Sequence, residues 1–297
     1  MTFVSRSTRV TFWGVRGSTP CDGHQYARYG GNTSCVEFSA AGHDPIVFDL
    51  GTGLRSYGEH LDATGRRDGF RANVLLTHLH WDHIQGLPFF SPLAAGGGAI
   101  TVFGPEQADC PLGEVFDGVM SPPYFPITHE ELRGNVAFES VGRDDFAVNG
   151  AKVKVRWVRH TDPTLGFRVE MEGFAVAYLP DHGPGTVADD PDLYVPDDVL
   201  ELVDGVDLLI HDAQHTTSEY ELKRTWGHCT VDYAIHVARE AGAKELALFH
   251  HCPSHGDDQL DEILRDARDL AARTGGPEVI AASDGLIVEL GREDDRG

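Results

Sequence analysis

Thr77-His78-Leu79-His80-Trp81-Asp82-His83 follows directly on the apolar run 72–76, and this pairing of a strand with a histidine-rich exit decides how the rest of the chain is read. A strand places successive side chains on opposite faces, so His78 and His80 point to one side while the chain stays extended. A turn after them carries Asp82 and His83 round to a second position, and two adjacent metal sites follow from that geometry. Neutral imidazoles with a carboxylate suit Zn²⁺ and, with more oxygen donors, Mn²⁺ or Fe. A hydrogen-bonded cluster of polar side chains at a loop is the competing reading.

Working outward, short strand-like runs bounded by glycine-rich turns precede the motif at 9–13, 34–39 and 45–50, and the run 72–77 enters it. Helices are expected to be scarce in this half. Further strands are expected at 152–158, 165–169, 175–179, 206–210, 246–249 and 279–281. Two helices follow near the C-terminus: 231–241 with Thr230 as N-cap, and 257–273 with Leu260, Ile263, Leu264, Ala267, Leu270 and Ala271 along one stripe. A Gly/Ala loop at 93–99 and an acidic, proline-bearing insertion at 189–198 interrupt the pattern without splitting it. One domain over 1–297 is expected.

Composition narrows the partners. The 297 residues carry 24 Lys+Arg against 47 Asp+Glu, a formal charge of −23, and 41% are hydrophobic. That surface repels polyanions, since binding a phosphate backbone or an anionic membrane needs clustered cations. Extended nucleic acid is therefore not expected as a partner. Five scattered cysteines, none in a CxxC pair, suggest neither a disulfide framework nor a cysteine zinc knuckle, and a reducing cytoplasm is the expected home. Residues 1–10 lack the apolar segment of a secretory signal, and no apolar run of about 18 residues occurs, so no membrane partner is expected.

The spacing of His78, His80, Asp82 and His83 matches an HxHxDH motif and resembles the metallo-β-lactamase superfamily. That resemblance implies an α/β chain folded as an αββα sandwich, two mixed β-sheets flanked by helices. It implies His160 as the third histidine of the first metal site and Asp181 as the bridging aspartate. His250 is the implied last ligand, chosen because it lies 22 residues beyond His228, with His251 and His255 as alternatives. Asp49-Leu50-Gly51-Thr52-Gly53 resembles the family's strand-end segment, whose aspartate supports the metal loop from behind.

The runs Thr11-Phe12-Trp13-Gly14-Val15-Arg16-Gly17-Ser18-Thr19-Pro20 and Tyr29-Gly30-Gly31-Asn32-Thr33-Ser34-Cys35 resemble one branch of that superfamily. It contains ribonuclease Z and small-molecule phosphodiesterases, including those acting on cyclic nucleotides. His211-Asp212-Ala213 and Gly227-His228-Cys229-Thr230 resemble the branch's HEAT and GHST segments, with Asp212 in place of the usual Glu and Cys229 in place of Ser.

The resemblance implies two divalent ions, Zn²⁺ first and Mn²⁺ or Fe otherwise, held by His78, His80 and His160 and by Asp82, His83 and His250, with Asp181 between them. A hydroxide shared by the ions would attack phosphorus, which is how such centres act. His228 would serve the scissile phosphate, oriented by Asp212, so His228, Asp212 and Asp82 are the expected catalytic residues. Asn32 and Thr33 are candidate substrate contacts. Arg16 reads either as a phosphate contact or as a surface ion pair.

Three reactions compete: hydrolysis of a small cyclic or linear phosphodiester, cleavage at a tRNA 3′ end, and hydrolysis of a thioester or lactone. Asp181 lies only 21 positions beyond His160, room for two strands and a turn, where ribonuclease Z typically carries the long arm that clamps tRNA. The −23 charge favours a small substrate for the same reason. The aromatic run Ser121-Pro122-Pro123-Tyr124-Phe125-Pro126 could stack a base or serve a homodimer contact.

Overall fold

The strand-forming alternation resolves, in a computed structural model describing residues 8–108, 110–184 and 194–291, into two seven-stranded sheets packed face to face. The first contains β1 (Thr8–Gly14), β2 (Cys35–Ala40), β3 (Ile46–Phe48), β4 (Arg71–Leu75), β5 (Ala99–Pro105) and β6 (Asn135–Val141). The second contains β7 (Phe146–Val148), β8 (Ala151–Val158), β9 (Thr164–Met171), β10 (Phe174–Leu179), β11 (Leu208–Asp212), β12 (Glu245–Phe249) and β13 (Glu278–Ala281). The last strand, β14 (Ile287–Leu290), returns to the first sheet, giving orders β14-β1-β2-β3-β4-β5-β6 and β13-β12-β11-β10-β9-β8-β7.

Period-two alternation builds three apolar layers from these strands. In β10, Val176 and Tyr178 face the opposite sheet, while Ala175, Ala177 and Leu179 face helices. In β3, Ile46 and Phe48 join the central layer and Val47 the outer one. Strands buried on both faces carry continuous apolar runs, as parallel strands covered by helices do. The result is the αββα sandwich expected.

Helices cover both outer faces: α1 (Gly53–Ala63), α2 (Trp81–Ile84), α3 (Ser91–Ala94) and α4 (Leu112–Val119) on the first sheet, α5 (Asp197–Val203), α6 (Thr217–Lys223), α7 (Val231–Glu240) and α8 (Asp257–Thr274) in the half that carries the second. The expectation that helices are scarce in the first half is therefore corrected. α1 escapes a periodicity reading because it opens on Gly53 and carries Gly58, residues of low helix propensity. Packing requires both: a Cβ on Gly53 would lie 2.5 Å from the Trp13 carbonyl carbon, and one on Gly58 3.0 Å from the Ser91 amide. The later helices form as read, with Thr230 Oγ1 accepting the Tyr233 amide at 3.1 Å and α8 ending on left-handed Gly275. Strands β5, β6, β7 and β14 lie outside the sequence reading.

Residues 189–193 of the acidic insertion read at 189–198 lie outside the described residues, and its end opens α5. All five cysteines are free. Among the described residues, no helix is long and apolar enough to cross a membrane. Strands β4, β8, β10, β11 and β12 all end at one edge of the sandwich, and that edge gathers the polar side chains described next.

Candidate metal centre

Each histidine of the motif is gripped at one ring nitrogen, which leaves the other directed into a common space. Asp49 lies immediately after β3 in a left-handed conformation (φ 58°), wholly buried. Its carboxylate accepts the Thr77 amide at 2.8 Å, the Thr77 hydroxyl at 2.9 Å, the Tyr178 hydroxyl at 2.9 Å and His83 Nδ1 at 2.7 Å. Thr77, its proton given to Asp49, accepts His78 Nδ1 at 3.0 Å. His160 Nδ1 donates to the Gly227 carbonyl at 2.9 Å, and His80 Nε2 lies 2.9 Å from Asp162. The ligand atoms left over are His78 Nε2, His80 Nδ1, His83 Nε2 and His160 Nε2. Holding the far nitrogen in this way is how proteins orient metal-binding imidazoles.

Two groups form around Asp181, which follows β10. Its Oδ1 is 3.5 Å from His160 Nε2 and 3.9 Å from His78 Nε2, and His80 Nδ1 lies 3.3 Å from His160 Nε2. Its Oδ2 is 3.0 Å from His83 Nε2 and 3.3 Å from His250 Nε2. Asp82 Oδ2 completes the second group at 3.2 Å from His83 and 3.1 Å from His250, and also accepts the Ser18 amide at 2.7 Å. His250 thus joins the cluster. His251 instead donates to the Ala282 carbonyl, and His255 pairs with Glu219.

These donors fit divalent cations. His78 Nε2, His83 Nε2 and Asp181 Oδ2 are buried without a hydrogen-bond partner, although imidazole and carboxylate atoms crowd within ion-pair distance. Donors left orphaned while converging on one point call for a charge between them. The electrostatics of His78 and of the two carboxylates agree, while at His83 burial is outweighed by Asp82, Asp181 and Asp49, which raise it well above its ordinary range. Burial, followed by the neighbouring imidazole of His83, drives His78 well below its ordinary range, the neutral form that binds metal. Burial pushes Asp181 and Asp82 upward, yet the surrounding imidazoles prevail and hold both carboxylates ionised.

Two close approaches depend on glycine. A Cβ on Gly17 would lie 2.4 Å from His250 Nδ1, and a Cβ on Gly227 (φ 84°) would lie 2.4 Å from His160 Nδ1. The sequence offered Gly17 and Gly227 only as parts of longer motifs. Ser18, Gln214, Asp162 and Tyr178 have no individual role in the sequence reading, because nothing local marks a residue whose partner is far along the chain. Gln214 places its side-chain amide 3.2 Å from His250 Nδ1.

His228 stands beside the cluster, its ring stacked on His250 with centroids 4.9 Å apart. Asp212 Oδ2 accepts its Nδ1 at 2.8 Å, so the aspartate reaches as far as needed in place of a glutamate. The same carboxylate takes the amides of His182 and Gln214. Burial lowers the His228 pKa, but Asp212, then Asp181 and Asp82, outweigh it and lift the imidazole to about 9. The cysteine in the serine position donates its thiol to the Asp212 carbonyl at 3.0 Å.

Three other expected contacts lie elsewhere. Thr33 is wholly buried and its hydroxyl accepts the Thr52 amide. The Asn32 side chain lines a cleft beside Arg55, but its amide donates to Asp284 at 2.9 Å and Ser56 at 3.2 Å. Arg16 corrects its reading outright: it is fully buried, makes no surface ion pair, and donates to the carbonyls of Gly30, Cys252 and His255. It ties the loop carrying Ser18 to the loop following His250.

Residues 46–251 match the model of the beta-lactamase superfamily domain. Curated relatives include a protein named ribonuclease Z from Bacillus licheniformis, 26% identical over 74% of this chain and 81% of that one. Another of the same name, from Natronomonas pharaonis, is 26% identical over 96% and 98%. Among solved structures, the metallo-beta-lactamase fold protein YhfI of Bacillus subtilis superposes with a TM-score of 0.70 at 20% identity, covering 96% of this chain and all of that one. A diphosphatase from the PhnP family gives 0.64 at 20% identity, covering 96% and 98%. The short form of human tRNase Z gives 0.61 at 20%, covering 96% and 100%.

Proposed function

The chain belongs to the beta-lactamase superfamily, and on that premise we propose that it is a binuclear metal-dependent phosphodiesterase hydrolysing a small phosphodiester, such as a cyclic nucleotide or cyclic phosphate. The observation that carries the reading is Asp181, which offers Oδ1 to one imidazole group and Oδ2 to the other. His78, His80 and His160 would hold one ion, and Asp82, His83 and His250 the other, with zinc first and manganese or iron as alternatives. Bound there, two such ions lower the pKa of water and neutralise phosphoryl oxygens.

The chain's own residues supply the rest. Asp212 anchors Nδ1 of His228, leaving Nε2 as the atom that can give a proton to the departing alkoxide. Asp212, hydrogen-bonded to Nδ1, favours the protonated form of the ring. Asp82, besides its ligand role, fixes the loop of Ser18 against the site.

A small substrate is favoured over tRNA. Between His160 and Asp181 the chain consists of β9, β10 and short turns, with no arm. With 47 acidic against 24 basic residues, the surface resists a long polyanion. The relatives named ribonuclease Z keep pre-tRNA cleavage as the second reading.

The test is a substrate panel. Protein loaded with Zn²⁺ or Mn²⁺ is expected to turn over bis-p-nitrophenyl phosphate and at least one 2′,3′- or 3′,5′-cyclic nucleotide. Trimming of a pre-tRNA would favour the second reading, and turnover of an acyl-glutathione or lactone alone would overturn the first.

A further inference from the structure

Two residues at the second ligand group hold a backbone conformation that side chains other than glycine avoid: His250 has φ 57° and Ser18 has φ 63°. Ser18 is exposed and sits at the centre of a three-residue γ-turn, closed by the Thr19 amide donating to the Gly17 carbonyl at 2.7 Å. Backbone of this kind persists only where the surrounding contacts hold it in place.

Three contacts hold these two loops. The Gly17 amide donates to the His251 carbonyl at 3.1 Å, and the Ser18 amide donates to Asp82 Oδ2 at 2.7 Å. The third comes from Gln214, which stands at the fourth position of the segment resembling HEAT, where that motif has threonine. Gln214 is buried, and one atom of its terminal amide lies 3.2 Å from both Ser18 Oγ and His250 Nδ1. A Cβ on Gly17 would fall 2.6 Å from that same atom, so the glycine leaves the room it occupies. Ser18 therefore holds Asp82 through its backbone and His250 through Gln214. These are two of the three residues proposed for one ion.

The chemistry of His250 decides which amide atom stands there. Its Nε2 lies 3.1 Å from Asp82 Oδ2 and 3.3 Å from Asp181 Oδ2, so Nε2 is the ligating nitrogen. An imidazole that ligates through Nε2 carries its proton on Nδ1, and that proton needs an acceptor. An amide nitrogen cannot accept it. The amide oxygen, brought to the same place by half a turn of the terminal group, has a lone pair for each of two donors. We propose that in the metal-loaded protein Gln214 presents Oε1 at this point, accepting the Nδ1 proton of His250 and the hydroxyl proton of Ser18. Gln214 and Ser18 are then positioning residues that brace two ligands of one ion. This rests on the binuclear centre proposed above and is independent of its substrate.

The experiment is chelator competition on zinc-loaded protein, reading the affinity for the second zinc equivalent in the wild type and three variants. Gln214→Met keeps the length of the side chain but offers only a weak thioether acceptor, and is expected to bind the second zinc about 10- to 100-fold more weakly. Gln214→Glu, which can only accept, is expected to bind it at least as tightly as the wild type, since a carboxylate behind a ligating imidazole holds the same tautomer. Ser18→Ala, at an exposed position, is expected to lose affinity by less than Gln214→Met. Wild-type affinity in Gln214→Met, or a loss of about tenfold or more in Gln214→Glu, would overturn the proposal, the second because the amide would then be donating. An unchanged Ser18→Ala would overturn the brace. Should Gln214→Met not fold, Gln214→Glu and Ser18→Ala carry the test. Failure of the wild type to take up a second equivalent would overturn both this proposal and the binuclear centre. Loss of the phosphodiesterase reading alone is seen separately, as two bound equivalents of zinc with no turnover across the substrate panel.

Discussion

The carboxylate of Asp49 accepts Nδ1 of His83 at 2.7 Å across 34 residues of sequence, and this one bond determines which nitrogen of His83 faces the cluster. The same carboxylate receives Thr77 twice and Tyr178 once, so it couples the ends of β3, β4 and β10.

Asp49→Ala should therefore release His83 and Thr77 together. Replacing a partner of this kind typically lowers metal affinity about 10- to 100-fold. Metal content after dialysis against graded chelator checks it, with loss expected first at the ion that Asp82, His83 and His250 would hold.

The two glycine contacts give a paired prediction. Gly17→Ala should displace His250, and Gly227→Ala should displace His160, because each new Cβ would fall 2.4 Å from a ring nitrogen. Each variant is expected to bind one equivalent of metal firmly and lose the other, as read by elemental analysis.

His228→Ala is expected to keep full metal content and lose about 10²- to 10⁴-fold in kcat, the usual range for removing a proton-transfer group. Asp212→Asn should lower kcat as well, since Nδ1 of His228 loses its acceptor. Unchanged turnover in both variants would remove His228 from the chemistry.

Stability should carry a pH signature from Asp284. Burial, set against hydrogen bonds from Asn32 and Gly31, lifts this carboxyl to about 6. The folded state then holds the proton more tightly than the unfolded chain does. The stabilisation is full below the unfolded value near 4 and is lost as pH rises through about 6, up to about 3 kcal/mol. Urea unfolding of wild type and Asp284→Asn between pH 4 and 7 should show the wild type losing stability relative to the variant.

Much of the fold is legible in the sequence because alternation and helical spacing are local. β8 reads correctly from Lys152 and Lys154 facing out between Ala151, Val153 and Val155 facing in. α1 is illegible because Gly53 and Gly58 answer to Trp13 and Ser91, contacts that spacing does not display. β6 is hidden by its exposure, since few of its side chains are buried enough to mark a face.

The metal set shows the same division. The sequence alone determined that His78, His80, Asp82 and His83 leave one strand as a unit, since their geometry follows from consecutive bonds. The tertiary structure alone decided that His250 and not His251 joins them, that Asp181 divides its oxygens between two groups, that Arg16 is buried and that Asn32 and Thr33 turn to other partners. The reason is physical. A residue's type is chosen by its own codon, but which of its atoms is free depends on what the other atoms touch, and those partners arrive from strands tens or hundreds of residues away.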